Sequence, residues 1–181
     1  MLINANNSAV LVVDIQDKLV PAVFESDRLI KNAKWLMEIA NILNVPVLIS
    51  EQYPKGLGHT VAVLDNLVQA KQKMEKLSFS CAADDDCQSS IQSLGREQVI
   101  IIGMEAHVCV MQTALDLKSM GKEVFVVADV VSSRNPKDIE LALQRMRQGG
   151  IHIVGREMVA FEWMRKSGTE EFKQISRDYL R

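Results

Sequence analysis

Asp14, Cys109 and one of three lysines, Lys71, Lys73 and Lys76, are the residues of this sequence best suited to chemistry. Cys109 ends the stretch Gly103-Met104-Glu105-Ala106-His107-Val108-Cys109, which separates an apolar run, Val99 to Ile102, from apolar residues at helical spacing that begin at Val110. A thiol at a helix N-terminus meets unpaired backbone N–H groups and the positive end of the dipole, both of which favour thiolate. The same amides suit an oxyanion formed when a thiolate attacks a carbonyl. The competing reading is packing, since free cysteine is among the most buried residue types and is usually inert. Asp14 follows a run of apolar residues, so its carboxylate would emerge from a buried strand, where a raised pKa suits a base or proton shuttle; the alternative is a turn or helix cap. A nucleophilic cysteine needs a cation or base nearby. Spacing does not choose among the three lysines, and a solvated side chain is the commonest use of each.

Other candidates carry less. His107 lies two residues from Cys109 across an irregular turn, a spacing that favours a hydrogen bond within the turn over a Cys-His dyad. Cys81 and Cys87 bracket the acidic run Asp84 to Asp86, which would raise a thiol pKa. Glu51, Tyr53 and His59 form a poor ligand set, and no CxxC, HxxxH or HxH pair is present, so no metal and no cofactor are expected. Gly56 and Gly58 lack the context of a phosphate-binding loop.

The elements that must position these residues alternate between apolar runs and helical patterns. Strands are expected at Ser8 to Asp14, Val45 to Ser50, Gln98 to Ile102, Glu123 to Ala128 and Ile151 to Val154. Asp27 is expected to cap a helix carrying Leu29, Ile30, Ala33, Leu36, Met37, Ala40 and Leu43. Further helices are expected at Asp84 to Leu94, Val110 to Met120, Pro136 to Gln148, Met158 to Arg165 and Thr169 to Leu180, with a weaker one at Val61 to Val68. Glu51 to Thr60 reads as a loop and Lys71 to Ser80 as mixed. Such alternation predicts an α/β fold: a single domain over residues 1–181, with a doubly wound, mostly parallel sheet and helices on both faces. Ligands of open α/β sheets bind outside the carboxyl ends of the strands, which is where Asp14, Glu51 to Tyr53 and Cys109 fall.

A net charge of −2 with scattered Lys and Arg gives no footprint for nucleic acid, and the longest apolar runs are far too short to span a bilayer. The N-terminus lacks a basic region followed by an apolar stretch, so the chain reads as cytoplasmic. The apolar segment at Phe161, Trp163 and Met164 either supports self-association or packs a helix on its own sheet.

Over essentially the whole chain the sequence resembles the isochorismatase-like cysteine hydrolase superfamily. The motifs that carry the resemblance are VVDIQ at Val12 to Gln16, EKLSFSC at Glu75 to Cys81, GMEAHVCV at Gly103 to Val110, and VVADVVSSR at Val126 to Arg134. EQYPKGLG, with Ala106 and His107 where the family usually has Thr and Asp, resembles the isochorismatase domain-containing subgroup. The resemblance implies a Rossmann-like hydrolase fold and a catalytic triad of Asp14, Lys76 and Cys109. It also implies a cis peptide between Met104 and Glu105, and an oxyanion hole formed by the backbone N–H groups of Glu105 and Cys109. Gln16, Tyr53, Phe79 and His107 are expected to line the substrate pocket, Tyr53 and Phe79 on position alone. Glu51-Gln52-Tyr53 replaces the Asp-x-His metal motif of nicotinamidases, and Cys109 argues against the vinyl-ether chemistry of true isochorismatases, which lack it. The implied activity is hydrolysis of a small amide or related C–N bond in a homo-oligomer. A catalytically silent binding or scaffold protein, or a thiol redox sensor, of the same fold remains the alternative.

Overall fold

The computed structural model describes residues 1–180; Arg181, the last residue of the expected domain, lies outside the described residues. In chain order the elements are β1 (Ser8–Val13), α1 (Ser26–Ile42), β2 (Val47–Gln52), the short α2 (Pro54–Leu57) and α3 (Ala62–Asp65), β3 (Lys73–Lys76), α4 (Asp85–Ser93), β4 (Gln98–Met104), a π-helical turn (Ala106–Val110), α5 (Met111–Ser119), β5 (Glu123–Ser132), α6 (Pro136–Gln148), β6 (His152–Val154), α7 (Arg156–Met164) and α8 (Glu170–Tyr179). The six strands form one sheet in the order β3-β2-β1-β4-β5-β6, and every neighbouring pair is parallel. The chain winds outward from β1 through β2 to β3, then crosses back to β4. The chains leaving β1 and β4 therefore diverge to opposite faces at the centre of the sheet, the position where such folds open a crevice.

The continuous apolar runs follow from burial on both faces. Val10 and Val12 of β1, Ile100 and Ile102 of β4, and Phe125 and Val127 of β5 join one core with α1 and α7. Leu11 and Val13, Val99 and Ile101, and Val124 and Val126 join the other core beside α4, α5 and α6. A strand whose alternate residues enter two cores has no polar face to show in its sequence. Trp163 and Met164 are buried in the first of these cores, and Trp163 Nε1 donates to Ser8 Oγ at 3.2 Å, while Phe161 stays exposed. The segment that contains them thus packs largely on its own sheet.

Several expectations require correction. Strand β3 falls inside the stretch read as mixed: Lys-Met-Glu-Lys has no apolar run, because this edge strand has only β2 beside it and buries only Met74 and Lys76. Strand β2 extends through Glu51 and Gln52, where the sequence predicts a loop, because β3 supplies partners for both. The expected helix at Val61 to Val68 is reduced to the single turn Ala62–Asp65. Glu25, in the left-handed region, precedes α1, and Asp27 lies in its first turn instead of capping it. Strand β5 continues past Ala128 to Ser132, with its register against β4 shifting between Ile101 and Gly103.

One close approach fixes the crevice. Gly103 has φ +122°, and a Cβ there would stand 2.1 Å from the carbonyl oxygen of Val13. The ends of β1 and β4 can therefore meet only over glycine. Gly103→Ala is expected to destabilise the protein by about 3 kcal/mol or more, combining backbone strain with a clash against a buried strand, as read by urea unfolding.

Candidate active site

Asp14 follows β1 in the left-handed region, at φ 53°, and its N–H donates to Ser50 O on β2 at 3.1 Å. This turn swings the carboxylate over the end of the sheet. Ser50 Oγ donates to Asp14 Oδ1 at 2.7 Å, and Lys76 Nζ, from the end of β3, donates to Oδ2 at 2.8 Å. The ammonium also donates to Gln52 Oε1 at 2.7 Å and to the carbonyl of Phe79 at 3.0 Å. Asp14 and Lys76 are fully buried. An ion pair taken out of water persists only when its remaining donors and acceptors are also satisfied, as they are here. Burial pushes the Asp14 carboxyl above its ordinary range, with Lys76 and Ser50 pulling the other way. Burial is the largest single influence and works against the Lys76 ammonium, but the charge of Asp14, the neighbouring Cys81 and Cys109 and the hydrogen bond to Asp14 together outweigh it and raise the lysine above its ordinary value.

The structure gathers Asp14, Lys76 and Cys109 in one place. Cys109 lies in the π turn just before α5 and lines the same cavity as Asp14, close enough that each shifts the other's titration. A cavity of about 320 Å³ opens beside them, lined by Asp14 and Cys109 with Gln52, Phe79, Glu105 and Arg134, and with Leu19, Leu57, Met104 and Val108 as apolar walls. The peptide between Met104 and Glu105 is cis. Glu105 precedes the π turn, and its carboxylate is held by Arg134 through two hydrogen bonds of 2.9 and 3.1 Å.

One electrostatic expectation changes. Helix end and lysine were expected to favour a Cys109 thiolate, but burial, then the charge of Asp14, raise this thiol above its usual pKa, and Lys76 only partly opposes them. The physical reason is geometric: the ammonium is already engaged with Asp14, Gln52 and a carbonyl. The resting arrangement is thus a neutral thiol beside an Asp14–Lys76 ion pair.

Of the four residues expected to line the pocket, Phe79 does so. Gln16 is wholly buried outside the cavity lining: its amide donates to Gln52 O and Gly58 O and accepts from Gln52 N, joining the end of β2 to the following loop. His107 Nδ1 pairs with Ser133 Oγ at 2.9 Å. Half-exposed Tyr53 lines a neighbouring cavity with Pro54, Lys55, Glu75 and Leu77. Gln52, Leu57 and Arg134 were not singled out. Gln52 had a signal in its place at a strand end, Arg134 lies in a quoted motif, and Leu57 had none. Glu51 points its oxygens at the loop: Thr60 N and Oγ1 donate at 2.7 and 2.8 Å, and His59 Nδ1 lies at 3.0 Å. Burial raises this carboxyl, but those partners outweigh it and hold it below the usual range. Among the described residues no three His, Cys, Asp or Glu side chains are grouped to hold a metal ion.

Residues 8–158 match the isochorismatase domain. The chain belongs to the isochorismatase-domain family. It is 38% identical over 176 residues to isochorismatase domain-containing protein 2 of Danio rerio, a match covering 97% of this chain and 88% of that protein. Among solved structures of similar fold, MAR1 ribonuclease of Caenorhabditis elegans has a TM-score of 0.92 at 34% identity, covering 100% of this chain and 93% of that one. The YcaC gene product of Escherichia coli, an octameric hydrolase of unknown specificity, has a TM-score of 0.88 at 28% identity, covering 92% and 83%. Within this isochorismatase-domain fold, the buried ion pair can be tested without any substrate. Lys76→Met leaves a buried carboxylate without its counter-charge and should destabilise the protein by about 3 kcal/mol at about pH 8. The folded-state pKa of Asp14 then lies further above its unfolded value, so the loss is present above that folded pKa and relieved as pH falls through it. Urea unfolding at about pH 8 and about pH 5 should read the smaller loss at the lower pH.

Proposed function

We propose that this protein is a cysteine hydrolase that cleaves the C–N bond of a small, uncharged amide through a Cys109 thioester. The observation that carries this reading is the buried Asp14–Lys76 pair within reach of the Cys109 thiol at the wall of one cavity. Asp14, lifted towards a basic carboxylate by burial, takes the thiol proton as sulfur attacks the carbonyl carbon. The resulting oxyanion faces the backbone N–H groups of Glu105 and Cys109, the oxyanion hole implied by family resemblance. Asp14 returns the proton to the leaving nitrogen, the C–N bond breaks and an amine departs. Water, deprotonated by Asp14, then attacks the thioester to release the acid and restore the thiol. Lys76 keeps Asp14 ionised between these transfers. Phe79 lines the acyl pocket, Gln16 and His107 support its walls from behind, and Tyr53 flanks the entrance.

The cavity supports an uncharged substrate because its charges are already paired, Lys76 with Asp14 and Arg134 with Glu105, and its other walls are mainly apolar. The same pairing, with a net charge of −2, disfavours RNA, although the C. elegans relative is named a ribonuclease. Among the described residues all three cysteines are free and no helix is long and apolar enough to cross a membrane, which supports work in a reducing cytoplasm. With an octameric E. coli relative, this chain is proposed to self-associate as well.

Alkylation of Cys109 by iodoacetamide across pH tests the reading without a known substrate, with peptide mapping to separate Cys109 from Cys81 and Cys87. Its rate should rise through a midpoint above that of an ordinary carboxyl, about 3.9, and then level off, because ionised Asp14 accepts the proton. Asp14→Asn should abolish this step. A slow Cys109, accessible in folded protein yet indifferent to Asp14→Asn and Lys76→Ala, would sink the hydrolase reading in favour of a binding protein. In a panel of small amides, Asp14→Asn, Lys76→Ala and Cys109→Ala should each lower turnover by about 10³-fold.

A further inference from the structure

We infer that Ser50 is a positioning residue for this chemistry: its hydroxyl, set between Cys81 and Asp14, pins one carboxylate oxygen so that the base stays ionised and aimed at Cys109. This rests on the proposed function and adds a group to it. Ser50 lies in β2 opposite Val13 and is completely buried, so water does not compete for its hydroxyl. It holds Asp14 twice. Its carbonyl accepts the Asp14 N–H at 3.1 Å and its Oγ donates to Oδ1 at 2.7 Å, while Lys76 occupies Oδ2 at 2.8 Å. With both oxygens anchored, the carboxylate is fixed in its plane and keeps lone pairs free to accept the thiol proton.

The other side of Ser50 is also defined. Cys81 begins the 3-10 turn Cys81–Ala83 and is fully buried, and its N–H donates to Thr113 Oγ1 at 3.0 Å. Its thiol neighbours Ser50 and feels the charge of Asp14. Burial, then the charge of Asp14, push that thiol up to about 11, so it adds no second negative charge beside Asp14. Ser50 gives its one proton to Asp14 Oδ1, with the Cys81 side chain as its neighbour on the other side. The titratable groups around Asp14 are Lys76 from β3, Cys109 from the π turn and Cys81 from the 3-10 turn. Ser50 is the neutral donor among them.

A hydrogen bond to the ionised form favours that form, so removing it should raise the Asp14 pKa further. The test is the pH profile of Cys109 alkylation by iodoacetamide in the full chain, comparing wild type, Ser50→Ala, Ser50→Thr and Asp14→Asn, with folding checked by circular dichroism. Ser50→Ala should move the midpoint of the rise up by about one pH unit, and Ser50→Thr, which restores the hydroxyl, should return it towards wild type. An unmoved midpoint in Ser50→Ala, or an equal shift in Ser50→Thr, would assign Ser50 to packing and overturn the inference. Loss of the rise in Asp14→Asn alongside that result would leave the proposed function standing; a wild-type profile in Asp14→Asn would instead remove the proposed function itself. Should Ser50→Ala fail to fold, Ser50→Cys, close in size but a weaker donor, should shift the midpoint in the same direction by less, and an unmoved midpoint there overturns the inference equally.

Discussion

The ion pair between Asp14 and Lys76 sets the terms for everything around it. Two opposite charges removed from water gain strong attraction from each other, but the cost of desolvation exceeds that gain unless every other polar group near them is satisfied. Here Ser50 and Gln52 meet that demand from β2, and the chain after β3 turns back so that the Phe79 carbonyl faces the ammonium. Gln52 is in turn held by Gln16 through its backbone and by the Leu77 carbonyl through its side chain. Residues from β1, β2 and β3 thus converge on one pair of charges at one end of the sheet. A well-packed apolar pair would serve stability better, so the retained charges are consistent with selection for chemistry.

The position of the thiol follows from the same constraint. Lys76 has no donor left over for sulfur, so Cys109 rests as a neutral thiol against Asp14 and is not a thiolate paired with a lysine. In the proposed reaction, carboxylate and nucleophile are therefore coupled through one proton, and the burial that makes Asp14 a better base also keeps the thiol protonated until a substrate arrives.

What the sequence made legible was what hydrophobic burial writes directly. Strands β1 and β4, and most of β5, sit between two cores and announce themselves as unbroken apolar runs; α6 does so through Asn135, Pro136 and its periodic apolar face. Strand β3 escaped because an edge strand with two lysines and a glutamate carries no such run, and its role depends on the partners that β2 brings to it. Lys76 was for that reason indistinguishable from Lys71 and Lys73 by spacing, and only family motifs separated it. Leu57 reaches the cavity through a loop tied down by Glu51, whose partners His59 and Thr60 lie eight and nine residues away. The sequence predicts an irregular turn up to Cys109 and a helix from Val110; that the turn is itself π-helical and runs directly into α5 is not written in periodicity, which does not register one extra residue in a turn.

The location of Lys76 on an edge strand joins the ion pair to one of the two margins of the sheet. Edge strands and the loops beside them open in local fluctuations that leave the central strands intact. Were β3 to lift away, the carboxylate would lose its counter-charge and the ammonium would gain water, so the site would be dismantled while β1, β4 and β5 stayed folded. In the proposed hydrolase such an opening, and not collapse of the core, would set the limit of competence.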